Sequence, residues 1–462
     1  MKISKSYILL DRFSIFLLCF SFIFFAYSVS VNAEKKTQAK VLDLKTSISI
    51  ALANSHSILA KKEAIKEAKY GKKKARTDFL PGLSTTYGYK RFDRAAIIEN
   101  VSFDIPTSVG PQTFTMDEFQ FGSKDNYEWK VTATQPVFTG FAISSAYKLA
   151  KQGIDVSRLN FEIEKLDVAL KVKQIYYKVL SSDKYLDVAQ KAVAQLLSQA
   201  NDARAFYEAG IIPINDLLKV EVQLANTQHG LVQAKTGTKI ARTYFNTILT
   251  RPVTEPVLIA DVLVKEPKTD NFEKCFKIAL KNSPELKTLN INIKQTEQQV
   301  RLAKSEYYPH VYFSVDYVKA GDKPGVSGSD YHMESSWQAQ AAVKWNFWQW
   351  GKTHYAVSGA KSKQKQLIRL KSGLIDKIRL DVKEAVLNEL SAKTNIPSTT
   401  KAVEQAEENL RVGQERFRSQ LTTTSEVLDA QTLLTQARLN YYNSMYDYKL
   451  AEAKLQRAMG KY

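Results

Sequence analysis

The sequence predicts an α+β fold of two structural repeats, each made of long coiled-coil helices around two strands. Three observations carry this. Ile50-Ala51-Leu52-Ala53-Asn54-Ser55 returns as Ile278-Ala279-Leu280-Lys281-Asn282-Ser283, a shift of 228 that also takes Ala75 onto Ala303 and Pro81 onto Pro309. Each copy then holds two segments that alternate with a period of two, as strands do. Each closes on a long stretch with apolar residues at heptad spacing. The composition agrees: 462 residues, 44% hydrophobic and 24% charged, with 12 Pro, 18 Gly and 2 Cys. That excludes a disordered tail, a collagen-like chain and a disulfide-stapled module.

Residues 1–33 read as a signal peptide. Lys2, Lys5 and Arg12 precede an apolar run from Phe13 to Val31, and Val31-Asn32-Ala33 sets small residues at a cleavage site. A transmembrane anchor is the competing reading, since 19 residues nearly span a bilayer. Four serines in the run and the Val-x-Ala end favour cleavage. Cys19 lacks the small neighbours that lipidation requires, so Cys275 is the only thiol expected in the mature chain. Cleavage leaves 63 Lys and Arg against 46 Asp and Glu, a net +17. No later segment offers 18 consecutive apolar residues, which leaves a periplasmic protein, a secreted one or an outer-membrane barrel.

The first repeat spans 34–252. Its front helices end at Leu80-Pro81, its strands are expected at about 83–92 and 127–137, and long helices fill 141–250. From Phe141 to Tyr207 there is no Pro, and Leu159, Ile163, Leu166 and Leu170 share one face. As one helix that stretch would be about 100 Å long, enough to span a distance rather than cover a globular core. A linker follows at 253–270. The second repeat spans 271–462, with strands at about 311–319 and 335–347 and helices over 349–459. Its back half matches the first copy at a shift of 210, Pro136 to Phe141 facing Asn346 to Gly351 and Asn215-Asp216-Leu217-Leu218 facing Ser425-Glu426-Val427-Leu428. The 18 residues between the two shifts are lost from the polar loop between the strands, 93–126 in one copy and 321–334 in the other. In the last helix Val427, Ala430, Leu434, Ala437, Tyr441 and Ser444 continue a heptad. Pro397 is expected to kink or break the helix before it.

Strands of this length cross a bilayer when tilted, but four cannot close a barrel with a lumen, and open edges in lipid are forbidden. Several chains would have to share one barrel, and three would supply twelve strands. Alternation alone also fits a pair of soluble hairpins.

With these features the chain resembles the TolC family of outer-membrane efflux proteins over its mature length. The resemblance rests on the two-copy order, Leu80-Pro81 and Tyr308-Pro309 closing the front helices, and Gln135-Pro136-Val137-Phe138-Thr139-Gly140 with its partner Asn346-Phe347-Trp348-Gln349-Trp350-Gly351. It rests too on Tyr207-Glu208-Ala209-Gly210 and on Ser425-Glu426-Val427-Leu428-Asp429-Ala430. It implies a homotrimer in the outer membrane of a Gram-negative bacterium, extending into the periplasm. There a twelve-stranded barrel is continued by a tunnel of helices. Its implied partners are outer-membrane lipid, a periplasmic adaptor (membrane fusion protein) and an inner-membrane pump of the RND or ABC type. The duct would pass drugs, toxins or proteins, as multidrug efflux or type I secretion. It would be no enzyme and need no cofactor. The resemblance also implies a closed entrance at the periplasmic tip, where Asp216, Glu426 and Asp429 match acidic residues of the two turns. The residue-level alternatives are a capping box of Thr423 with Glu426 and a solvated helix face for Asp429. Where some relatives carry a basic residue tying the turns together, this chain has Thr422.

Other signals carry less. Gly351-Lys352-Thr353 lacks the upstream glycine of a phosphate-binding loop. The five histidines are scattered and suggest no metal site or catalytic dyad. The positive charge argues for nucleic acid only until export is considered. Lys72-Lys73-Lys74 fits either a solvated face or acidic lipid headgroups. The runner-up to a duct is a periplasmic or surface coiled-coil scaffold without a pore.

Overall fold

A computed structural model describes residues 41–262 and 271–462; the expected signal peptide and residues 263–270 of the expected linker lie outside them. Two front helices, α1 (Leu44–Asn54) and α2 (His56–Thr77), lead into β1 (Gly82–Arg91), then β2 (Ile97–Thr107), β3 (Gly110–Gln120) and β4 (Asp125–Thr139). Helices α3 (Ala142–Glu208) and α4 (Ile214–Ile248) complete the first half. The second half repeats it as α5 (Phe272–Asn282), α6 (Pro284–Lys304), β5 (His310–Gly321), β6 (Ser335–Lys344), α7 (Lys352–Arg418) and α8 (Thr424–Ala458). The front helices obey the 228 shift, and the long helices, 67 and 35 residues in each copy, obey the 210 shift.

Local chemistry starts and stops these helices at equivalent places. Asp43 caps α1 by accepting from the Thr46 N–H at 2.7 Å, and Asn271 caps α5 through the Glu273 N–H at 2.8 Å. Ser283 caps α6, with Pro284 in the first turn where its missing N–H costs nothing. The long helices end in matching turns: the N–H groups of Ile211 and Leu421 donate to the carbonyls of Phe206 and Arg416, both at 2.8 Å.

Four strands form one antiparallel sheet in the order β1-β4-β5-β6, leaving β1 and β6 as open edges. The register sets Ser84, Thr132, Asp316 and Gln338 in one row. On that face Asp316 accepts from Thr132 at 2.7 Å and Gln338 at 2.9 Å, and pairs with Lys130 at 3.2 Å. The other face carries Leu83, Val131, Val315, Tyr317 and Trp337, so the sheet is polar on one side and apolar on the other, as a membrane barrel requires. Among the described residues no helix is long and apolar enough to cross a membrane.

Two expectations are corrected. The stretch 93–126, expected as a polar loop, contains the separate β2–β3 hairpin. Val101, Phe103, Ile105, Phe114 and Met116 lie on one of its faces and alternate with polar residues, which dilutes the apolar signal. Of the kink or break expected at Pro397, the break does not occur, and α7 runs through it. Close to it Thr400 donates to the Ile396 carbonyl at 2.9 Å, and the Thr399 and Ser444 hydroxyls join α7 to α8 at 2.9 Å. Pro136, likewise inside a strand, is accommodated by a register shift between Pro136 and Phe138.

The front helices pack on the middle of the long ones in two equivalent cores. One joins Ala51 and Ile58 to Val172, Tyr176, Phe245 and Leu249; the other joins Cys275, Ala279 and Leu286 to Val382, Leu455 and Met459. Between them Arg457 donates to Asp167 and Glu285, each at 2.7 Å, tying α8 to α3 and α6. Burial alone would raise the Glu285 pKa. Hydrogen bonds from its own N–H, Ser283 and Arg457 override it and hold the carboxyl below its ordinary 4.5. Stability from this group is present above that value and lost as pH falls below it. Arg457→Ala is therefore expected to melt lower than the parent at pH 7, with the gap shrinking towards pH 3. Melting followed by circular dichroism across pH would check it, and a pH-independent gap would refute the ionic role.

Candidate functional site

The helices α3 and α7 leave the sheet together and each runs 67 residues, about 100 Å, before turning. Both turns, 209–213 and 419–423, therefore lie at the end of the molecule farthest from the strands. Each needs one residue in the left-handed region, Gly210 at φ +73° and Gln420 at φ +61°. Under the first turn Ala200, Ala203, Leu217 and Val220 are buried; under the second Leu410, Phe417, Val427 and Leu434. Phe206 and Phe417 meet across the two hairpins, ring centres 5.6 Å apart and planes tilted by 56°.

Of the three acidic residues singled out by the sequence, Asp216 and Glu426 lie on the first turns of α4 and α8 and Asp429 on the second turn of α8, and the structure treats them differently. Asp216 pairs with Lys219 at 3.2 Å, and the Lys219 ammonium also lies 3.5 Å from the Ser425 hydroxyl of α8. Asp429 lines an open groove of about 540 Å³ between α4 and α8, with Lys219, Ser425, Leu428 and Leu218 around it. Glu426 lies outside that groove. It accepts a hydrogen bond from Thr422, and its N–H donates to the Thr423 hydroxyl at 3.3 Å. The cap of α8 is thus real, and it leaves the Glu426 carboxylate exposed. Asp429 is exposed as well.

Lys219 is the residue that the sequence reading missed. With Thr422 unable to supply a cation, the tie between the two turns comes from the first repeat instead. The signal was present, because a shift of 210 carries Lys219 onto Asp429 and Asp216 onto Glu426. At these two positions the turns thus keep one acid and reverse one charge. Per chain, Asp216, Lys219, Glu426 and Asp429 sum to −2 in a protein whose total is +19. Nothing else about the site suggests chemistry: among the described residues no group of three His, Cys, Asp or Glu is placed to hold a metal ion.

The sequence profile of a family described as outer membrane efflux protein matches residues 47–249 and 276–461. No curated protein matches the chain in sequence. Among solved structures, the CmeC outer membrane channel of Campylobacter jejuni is similar at a TM-score of 0.75 and 13% identity, over 90% of this chain and 85% of that one. The outer membrane protein VceC of Vibrio cholerae reaches 0.73 at 14% identity, covering 90% and 96%. The open state of the Neisseria gonorrhoeae MtrE outer membrane channel reaches 0.71 at 15%, covering 90% and 89%.

Proposed function

The chain belongs to the outer membrane efflux protein family, and from that premise we propose that its two helix turns form the aperture of the duct, with Asp216, Glu426 and Asp429 around the pore. As a member it is an outer-membrane exit duct for efflux that extends into the periplasm. Channels of the family are homotrimers that work with a periplasmic adaptor and an inner-membrane pump, and they are not enzymes. Three copies that pair β6 of one with β1 of the next make twelve strands and remove every open edge. The polar row through Asp316 then faces the lumen and the apolar row faces lipid.

One observation supports the aperture reading: Lys219 bridges Asp216 and Ser425, linking the first turn of α4 to that of α8 at the far end of the tunnel. Opening the pore would part α4 from α8 and break that link. The exposed carboxylates of Glu426 and Asp429 favour cations at the entrance. The pump supplies the energy and, with the adaptor, selects the cargo; a pump of the RND or ABC type fits this duct equally.

The test is single-channel current through purified protein in a planar bilayer. The parent is expected to give small, cation-preferring currents. Glu426→Ala/Asp429→Ala should enlarge them and remove the cation preference. Lys219→Ala should enlarge them several-fold while strengthening the preference, since it frees a carboxylate as it cuts the tie. Currents unchanged in both variants would take these residues out of the aperture.

A further inference from the structure

One level of the fold is basic while the far end of the sheet is acidic. The four stretches joining helix to strand, 70–81, 139–150, 299–309 and 345–358, together carry eight Lys or Arg against only Asp78 and Glu306. Past the opposite ends of the strands, 92–126 and 322–334 carry nine acids against three Lys or Arg. The sheet thus separates a collar of net +6 per chain from an outer end of net −6. The collar is solvated rather than neutralised: all eight cations but Lys72 are exposed, and among the described residues none of them is in an ion pair.

The collar adjoins an exposed aromatic rim. Phe79, Phe141, Tyr308, Trp345, Trp348 and Trp350 all lie at the strand ends with large exposure, reaching 85% at Trp350. Lys72, Lys73, Lys74 and Arg76 come within seven residues of Phe79, about 10 Å along α2; Lys304 is four residues from Tyr308, and Lys352 two from Trp350. Aromatic residues at this spacing from cations mark the depth of lipid headgroups.

The sheet order adds a second argument. With β1 and β6 at its edges, the edge helices are α2, which leads into β1, and α7, which follows β6. Closing the trimer sets α7 of one copy beside α2 of the next. Residues 352–375 of α7 carry six Lys or Arg and no acid, and residues 68–77 of α2 carry five and none. Two basic helix ends flank each seam, so an anion seated between them is attracted from both sides.

We propose that this collar binds acidic phospholipid headgroups of the periplasmic leaflet of the outer membrane, most strongly at the three subunit seams. The proposal rests on the membrane placement of the strands. Its phosphate-binding groups are Lys72, Lys73, Lys74, Arg76, Lys304 and Lys352, and the rim aromatics seat the glycerol and upper acyl chain.

The test uses the full-length trimer in phosphatidylcholine vesicles, in a Trp129→Phe/Trp337→Phe background that leaves only the rim tryptophans. Quenching by brominated phosphatidylglycerol is compared with quenching by brominated phosphatidylcholine. A preference for the acidic lipid of about three-fold at low salt is expected, collapsing towards one in about 0.5 M salt. The same collapse is expected in Lys72→Gln/Lys73→Gln/Lys74→Gln/Lys304→Gln/Lys352→Gln. Equal quenching by the two lipids in the parent at low salt would overturn the collar and leave the membrane placement intact, because brominated phosphatidylcholine reports that alone. No quenching by either lipid would overturn both. A preference that survives salt would also refute it, whether or not the five-fold variant folds.

Discussion

Replacing Gly140 with alanine is expected to remove about 3 kcal/mol or more of folding stability, although the change adds a single methyl group. Gly140 sits at φ +58°, where an L side chain already costs about 1 kcal/mol. A Cβ there would lie 2.4 Å from the Ser305 carbonyl oxygen and 3.0 Å from the Tyr308 Cβ. The carbonyl has little freedom to yield. Ser305 is buried at the end of α6, and its hydroxyl is held to the Leu302 carbonyl at 2.6 Å. The next residue, Phe141, also has positive φ, at +70°, but its ring points into space and packs edge-on against Phe138 and Tyr308, with centres 5.5 and 5.9 Å away. Phe141→Ala should therefore cost only about 1–2 kcal/mol, the loss of those ring contacts. In the second copy the glycine is displaced by one: Trp350 at φ +49° takes the first position and Gly351 at φ +80° the second. The nearest atoms to a Cβ at Gly351 would be those of the Tyr355 ring, from 3.1 Å, a side chain that can turn aside as the Ser305 carbonyl cannot. Thermal unfolding of the detergent-solubilised protein, followed by circular dichroism, measures both variants. Equal melting temperatures for Gly140→Ala and the parent would mean that the junction relaxes without cost.

What could be read in advance depended on whether information was carried by the repeat or by contacts across it. The duplicated positions located both long hairpins, because the same apolar spacing had to bury against the same partners twice. Leu217, Val220, Thr238, Ala241 and Phe245 are buried in α4 as Val427, Ala430, Tyr448, Ala451 and Leu455 are in α8. The β2–β3 hairpin had no counterpart in the second copy, and its alternation of Val101, Phe103 and Ile105 with Ser102 and Asp104 passed for polarity. Pro397 was judged from local propensity, which α8 overrides by packing along α7. The proposed aperture was half legible. Its acids stood out as charges in a turn, whereas Lys219 gains its meaning only when α4 meets α8, a contact between residues 206 positions apart. The collar was legible only as Lys72-Lys73-Lys74. Apart from Arg76, its other cations come from three further helix ends that the sheet order brings to one level.

Tyr176→Ala is expected to cost about 3–5 kcal/mol, and Tyr176→Phe about 1–2 kcal/mol, because the side chain performs two separable tasks. Its ring is fully buried halfway along α3, edge-on to Phe245 at 5.9 Å and Tyr177 at 6.2 Å. Its hydroxyl lies 2.6 Å from the Ala260 carbonyl and 3.1 Å from that of Leu42. Those two residues belong to the segment entering the first repeat and to the segment leaving it, which pair in parallel at Leu42 and Ile259. One phenol thus fastens both flanking segments to the middle of the tunnel wall. The phenylalanine variant keeps the packing but takes the phenol donor from the Ala260 carbonyl, while Leu42 keeps the Ala260 N–H at 3.1 Å, so residues 251–262 should become more accessible to protease before the helices melt. Burial pushes the Tyr176 phenol up to about 12. Its contribution is full below the unfolded value of about 10 and is lost as pH rises through 12. The parent should therefore lose stability above pH 10 more steeply than Tyr176→Phe. A phenylalanine variant as stable and protease-resistant as the parent would reduce Tyr176 to a packing residue. The same substitution also bears on the aperture. Tyr176 lies about 50 Å along α3 from the turns, so its channel currents should match the parent's; altered currents would mean that the flanking segments, and not only the groove at Lys219, hold the entrance closed.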